Sequence, residues 1–123
     1  MRVASVKAKS FKELVVWQRS MQLANKVYDV ALTFPKEEMF GLTSQMRRSA
    51  VSVSSNIAEG CQRAGKKEFI QFLFIARGSL AELETQIILA ADRKYIAMQD
   101  FEKLSLYMDE VSRMLMGLIK SLQ

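Results

Sequence analysis

The sequence predicts an all-α protein folded as an up-down-up-down antiparallel four-helix bundle. Four segments carry apolar residues at a period of about 3.5, the spacing that keeps one side of a helix against its neighbours. Short breaks separate the segments, and short connections favour antiparallel neighbours. The chain has 123 residues, of which half are apolar and one is proline, so it is long enough for one core and too apolar for disorder.

Each segment has its own predicted core stripe, and the third and fourth stripes are the most regular. The predicted core positions are Leu14, Trp17, Met21, Ala24, Tyr28 and Ala31; Leu42, Met46, Ala50, Val53 and Ile57; Phe69, Leu73, Ala76, Leu80, Leu83, Ile87 and Ala90; and Phe101, Leu104, Met108, Val111, Leu115, Leu118 and Leu122. The second segment also contains five serines, which indicate either close helix packing or a polar strip that faces a partner or ligand. These serines are Ser44, Ser49, Ser52, Ser54 and Ser55.

Local sequence patterns set the predicted helix ends. Ser10 followed by Glu13 matches a capping box at the start of the first helix, and Pro35 disfavours helical geometry at the residue before it. Gly60 is the expected left-handed cap that ends the second helix. The third and fourth helices are expected at about 66–91 and 99–122.

The chain is expected to form one cytoplasmic domain. Residues 1–10 are predicted to be an N-terminal tail and residues 11–123 the four-helix bundle. The first residues lack the apolar region of a secretory signal, and no apolar run is long enough for a membrane span. Cys61 has no second cysteine to pair with, which fits a reducing compartment.

The third segment has more apolar surface than one core stripe requires. Ile70, Phe72, Phe74 and Ile75 lie outside its predicted stripe, and an exposed face of this kind is unusual on a monomer. We therefore expect this face to be the interface of a homo-oligomer, and the alternative is a wide core with one modest exposed patch. The first segment repeats the pattern, and its residues beyond the predicted stripe are Val15, Val16, Leu23, Val27 and Val30.

The sequence offers little for catalysis, so we expect no enzymatic activity, no metal site and no cofactor. Histidine, the commonest general base and a frequent metal ligand, is absent from the chain. Cys61 therefore has no histidine to activate it as a nucleophile. The few glycines lack the spacing of a phosphate-binding or dinucleotide-binding loop.

Glu59 is predicted in the last turn of the second helix, where a negative charge opposes the helix dipole. It therefore needs a cationic partner, such as Arg63, Lys12 or a cation of a neighbouring subunit. Asn56 shares its helix face. We interpret the pair as a structural hydrogen-bonded lock, and a catalytic carboxylate is the less favoured alternative.

The formal net charge of +5 is predicted to gather at one end of the bundle. Antiparallel topology places seven basic residues against three acidic ones there, namely Lys7, Lys9, Lys12, Arg63, Lys66, Lys67 and Lys120 against Glu13, Glu59 and Glu68. Arg63, Lys66 and Lys67 surround the start of the third helix, where free backbone N–H groups bind phosphate. They are candidate nucleic-acid contacts, and ordinary solvation is the alternative.

A basic stripe extends this candidate surface along the first helix. Lys12, Arg19 and Lys26 are spaced by seven residues and therefore share one helix face. The alternative is again solvation, because a soluble helix commonly carries its charges opposite the core.

Four motifs resemble those of a known family. Residues 14–18 read LVVWQ, 41–48 read GLTSQMRR, 55–60 read SNIAEG, and 76–84 read ARGSLAELE. Over about residues 11–122 the chain resembles the four-helix-bundle proteins encoded in intervening sequences of bacterial 23S ribosomal RNA genes. The positions that carry the resemblance are Trp17, Arg47, Arg48, Asn56, Glu59, Gly60, Arg77, Gly78 and Glu82.

The resemblance implies an assembly more than a function. It implies a homopentameric ring and kinship with the accessory variability determinant of diversity-generating retroelements, a basic pentamer that binds nucleic acid and a reverse transcriptase. It also suggests that Arg77 and Glu82 pair with Glu59 and with Arg47 or Arg48 across a subunit contact. No reaction is established for the family.

Together these observations predict a non-catalytic oligomer that binds RNA or another nucleic acid electrostatically. They predict no association with a membrane. The alternative is a ring that acts as a protein-interaction scaffold and docks a partner such as a polymerase or reverse transcriptase. A small-molecule-binding bundle is a third interpretation, which predicts an internal polar pocket near Glu59 and the serines of the second helix.

Overall fold

The computed structural model describes residues 10–123, so residues 1–9 of the predicted tail lie outside the described part. The described chain is all-helical, as predicted. No helix in it is both long enough and apolar enough to cross a membrane. The four α-helices are α1 (Val15–Ala31), α2 (Leu42–Cys61), α3 (Lys66–Asp92) and α4 (Met98–Leu122).

A short 3-10 turn, Phe11–Glu13, precedes α1 and changes the predicted start of the first helix. Ser10 does act as a cap, because its Oγ accepts a hydrogen bond from the N–H of Lys12 at 2.8 Å. It caps this turn rather than an α-helix, since Leu14 is extended and α1 begins after it. The predicted capping box is therefore wrong: the extended residue separates the turn from α1.

Gly60 has a different role from the predicted one. It is buried and helical, and α2 continues past it to Cys61, so the predicted left-handed cap is wrong. A Cβ built on Gly60 lies 2.6 Å from the Cβ of Phe72 and 3.0 Å from the Cδ1 of Phe69. The missing side chain therefore allows α3 to approach α2 closely.

The predicted core stripes of α2 and α3 are confirmed, because every position in them is buried. On α4 the stripe is correct in the middle and shifts at the end. Leu118 is only partly buried, and Ile119 takes its place in the core. A straight helix has 3.6 residues per turn, so a strict 3.5 repeat drifts off its buried face.

On α1 the predicted stripe is only partly correct: Ala24 and Ala31 are buried, but the centre of the buried face lies beside the predicted one. Val27 is fully buried, whereas Met21 and Tyr28 are 36% and 42% exposed. Two apolar stripes lie side by side on this helix, and the branched aliphatic one enters the core. Tyrosine and tryptophan favour the boundary between core and solvent, where their polar atoms stay accessible. The buried residues of α1 are Val16, Ser20, Leu23, Ala24, Val27, Val30 and Ala31.

Successive helices pack against each other, and α1 also packs against α4. The most extensive contact joins α2 and α3. The serine Oγ atoms of Ser20 and Ser54 lie 3.1 Å apart between α1 and α2, and those of Ser52 and Ser79 lie 2.8 Å apart between α2 and α3. Small hydroxyl side chains thus link α2 to both neighbours, which confirms close packing for Ser52 and Ser54, whereas Ser55 is exposed.

Candidate nucleic-acid interface

The N-terminus of α3 presents exposed cations beside free backbone N–H groups. Gly65 precedes the helix in an extended conformation and supplies no side-chain cap to its first turn. Lys66 and Lys67 are exposed, and no ion pair within residues 10–123 involves either of them. The helix dipole and the unsatisfied N–H groups favour an anion at this point. Glu68 is the acidic side chain of this first turn.

Arg63 is held by its own chain. Its Nη2 donates to the Oε2 of Glu59 at 2.8 Å, and its guanidinium carbon lies 4.9 Å from the centre of the Phe72 ring. The partner predicted for Glu59 is therefore confirmed as Arg63. Asn56 donates instead to the backbone oxygen and the Oγ of Ser52, so it does not form the expected lock with Glu59.

The predicted basic stripe is divided: Arg19 and Lys26 lie on α1 beside α4 rather than opposite the core, whereas Lys12 lies in the 3-10 turn before α1. The Nε of Arg19 lies 3.2 Å from the Oε2 of Glu110, and the Nζ of Lys26 lies 3.8 Å from the Oδ1 of Asp100. These two cations already have carboxylate partners. Lys12 is exposed and makes no ion pair within the described residues.

The predicted oligomer face is only partly free within one chain. Phe74 and Ile75 are 45% and 51% exposed, whereas Ile70 and Phe72 are partly buried in their own bundle. Arg77 is exposed and lines an open groove of about 750 Å³ between α3 and α4. Leu89 of α3 and Leu106 of α4 are also exposed, and neither was predicted from the sequence as part of an apolar surface.

Arg48 and Glu82 line a polar groove of about 490 Å³ between α2 and α3. The Oε1 of Gln86, which also lines it, is buried and has no hydrogen-bond partner within residues 10–123. Ser49 and Ser52 contribute as well, but Glu59 does not. The polar pocket predicted near Glu59 and the serines is therefore displaced along α2. Gly78 faces open space, with nothing within 4 Å of a Cβ built on it.

A second aromatic surface was missed because its residues were assigned to the core. Trp17, Met21 and Tyr28 of α1 line an open groove of about 420 Å³ together with Val51 of α2. The guanidinium carbon of Arg47 lies 4.9 Å from the centre of the Tyr28 ring. The 3.5-residue repeat of α1 was the signal in the sequence that could have revealed this surface. The exposed members of that repeat lie at the edge of the core, where they line the groove.

Comparison with known proteins agrees with this architecture. A crystal structure of a protein of unknown function from the S23 ribosomal protein family of Bacteroides thetaiotaomicron VPI-5482 is similar, with a TM-score of 0.79 and 27% identity. The match covers 86% of this chain and 96% of that one. No curated protein sequence matches. The profile of the 23S rRNA-intervening sequence proteins matches residues 12–117. The chain therefore belongs to the 23S rRNA-intervening sequence protein family.

Proposed function

We propose that this protein is a non-catalytic, basic bundle that binds RNA or another nucleic acid through phosphate contacts. The observation that carries the proposal is the exposed pair Lys66 and Lys67, without ion-pair partners among the described residues, beside the uncapped N-terminus of α3. A net charge of +5 favours a polyanionic partner. The names of the family and of the similar structure, which refer to 23S rRNA and to a ribosomal protein family, are consistent with RNA.

The six candidate cations contribute unequally. Lys12, Lys66 and Lys67 bind phosphate without breaking an ion pair within the described chain. Each of the others, Arg19, Lys26 and Arg63, first exchanges a carboxylate for a phosphate. Binding by this surface depends on backbone phosphates, so it is steeply salt-dependent and has little sequence preference.

The proposed assembly is a cytoplasmic homo-oligomer of up-down-up-down bundles, with a pentamer implied by the resemblance to the intervening-sequence family. Contacts of α1 with α4 support the antiparallel arrangement. Arg19 pairs with Glu110, and the later Lys26 pairs with the earlier Asp100. The exposed apolar part of α3 supports association of subunits. Several basic ends in one particle increase avidity for a long nucleic acid.

A charge-reversal experiment tests the nucleic-acid function. A labelled RNA hairpin is titrated with the full chain and with the double variant Lys66→Glu and Lys67→Glu at about 50 and 200 mM salt. The matched control, Lys36→Glu with Lys94→Glu, removes the same charge from exposed residues of the opposite end. We expect the first pair to lose most of its affinity and its salt dependence, and the second to lose little.

Two results contradict this function. Affinity that does not change between the two salt concentrations excludes the electrostatic mechanism. An equal loss in both double variants shows that net charge, rather than the start of α3, governs binding.

The assembly is tested by sedimentation of the double variant Phe74→Glu and Ile75→Glu. Both side chains are about half exposed in one chain, so charge there disrupts a subunit contact without entering the core. We expect a shift to monomer with unchanged helix content. Leu32→Glu, at a residue 75% exposed just after α1, is the control. An unchanged oligomer excludes this face as the interface.

The scaffold function has one specific observation in its favour. The groove of about 750 Å³ between α3 and α4 is floored by Leu80 and Met108, and its rim includes the exposed Leu106. A protein that fails to bind RNA at low salt, yet retains one cellular protein that Leu106→Asp releases, supports the scaffold in place of nucleic-acid binding.

A further inference from the structure

The groove between α1 and α2 plays no part in the proposed phosphate contacts. Its larger side chains are Trp17, Met21 and Tyr28 from α1 and Val51 from α2. Tyr28 is 42% exposed, so its ring is accessible from solvent. The remaining lining residues are small or polar, which leaves room for a flat ring: Ala24, Asn25, Ser54, Ser55 and Ala58.

One cation contacts an aromatic residue of this groove, and a second cation follows in sequence a residue that packs on the other aromatic residue. At one end, the guanidinium of Arg47 lies over the Tyr28 ring, and its Nε is buried without a hydrogen-bond acceptor in the described residues. At the other end, Phe11 packs edge-on against Trp17 with ring centroids 5.2 Å apart, and the next residue is Lys12. The ion pairs within residues 10–123 involve neither Lys12 nor Arg47.

We infer that this groove stacks the unpaired bases of a single-stranded nucleic acid, an inference that rests on the proposed function. Every base offers a ring face, and aromatic side chains stack on it with little sequence preference. Arg47 beside Tyr28 provides counter-charge for the phosphates of the same strand, and the exposed Lys12, next in sequence to Phe11, adds positive charge to this side of the chain. A helix of a second copy fits less well, because an apolar occupant leaves the buried Nε of Arg47 without an acceptor.

The length of the groove suits a short stretch of strand. Trp17 and Tyr28 are eleven residues apart on α1, which corresponds to about 16 Å at about 1.5 Å per residue. At about 3.4 Å per nucleotide of a stacked strand, this distance spans roughly five nucleotides. A paired duplex cannot present its bases to the groove, since their faces are stacked on each other.

The chain contains one tryptophan, so the fluorescence of Trp17 reports directly on this groove. Short uridine and deoxythymidine oligomers and a duplex RNA, each carrying a label, are titrated with the full chain at low salt. Anisotropy of the label measures binding, and Trp17 emission measures stacking. We expect both single strands to quench Trp17 and the duplex to bind without quenching. The two single-strand arms show whether RNA or DNA is preferred.

Variants separate stacking from charge. Tyr28→Leu removes a ring and is expected to lower single-strand affinity about 5- to 100-fold, the equivalent of about 1–3 kcal/mol for one stacked base. Tyr28→Phe keeps the ring and is the matched control, with affinity close to that of the native chain. Lys66→Gln with Lys67→Gln is expected to weaken binding while the quenching of Trp17 at saturation stays the same.

The outcomes distinguish this inference from the proposed function. Binding of single strands with no change in Trp17 emission overturns the inference and leaves phosphate binding intact. Trp17 emission that shifts when the free protein is diluted shows that a second copy covers the groove, which also overturns it. Absence of any binding at low salt overturns both proposals.

Discussion

Gly60→Ala is expected to destabilise the protein, although alanine is the better helix former. In an exposed helix the substitution stabilises by about 1 kcal/mol. Here the added Cβ lies 2.6 Å from the Cβ of Phe72 and 3.3 Å from the backbone oxygen of Phe69. Neither atom moves without its backbone, so α2 and α3 must separate along their most extensive contact. Overpacking of this kind costs about 1–3 kcal/mol.

The net expectation is a loss of up to about 2 kcal/mol in the free energy of unfolding, after the gain of about 1 kcal/mol in helix propensity is subtracted from the overpacking cost. Urea denaturation followed by circular dichroism, at one fixed protein concentration, measures it. In thermal unfolding the loss lowers Tm by about 3–5 °C per kcal/mol for a domain of 123 residues.

Gly78→Ala and Gly117→Ala are the matched controls for this prediction. Both glycines are exposed within helices and have nothing within 4 Å of a built Cβ. Each is expected to stabilise by up to about 1 kcal/mol. If Gly60→Ala proves as stable as these controls, the close approach of α2 and α3 is refuted as the reason for glycine at this position.

Three further substitutions test the packing, and a fourth tests an ion pair on the surface. Val27→Ala should cost about 2 kcal/mol because it removes two buried methyl groups, whereas Met21→Ala should cost less than about 1 kcal/mol, as urea denaturation measures. Ile119→Val should cost about 0.5–1.5 kcal/mol in the same assay, and no cost would place Ile119 outside the core. Arg19→Gln breaks a partly exposed pair with Glu110 and should cost at most about 1 kcal/mol, a difference that shrinks in high salt.

The candidate site was only partly predictable. The lysines at the start of α3 could be predicted from local sequence, because Gly65 directly before them marks the beginning of the helix. The ion pairs of Arg19 and Lys26 were not predictable, because their partners on α4 are distant in sequence. The partner of Glu59 was predictable among a few candidates, since Arg63 lies one helical turn further along the chain.

The sequence alone determined the number of helices, their approximate ends and the buried faces of α2 and α3. A repeat that recurs on one side of a long segment leaves a single choice of buried face. On α1 two apolar stripes have the same spacing, so periodicity did not distinguish the core from the boundary. Packing against α2 and α4 decided it: Val27 entered the core, and Trp17 and Tyr28 came to line a groove.

The role of Gly60 was decided in the same way. Its place near a helix end favours a cap when only neighbouring residues are considered. The tertiary structure brings Phe69 and Phe72 of α3 against it, and steric exclusion of a Cβ becomes the dominant requirement. Local chemistry sets which conformations each segment prefers, whereas contacts between distant segments decide which of its faces is buried.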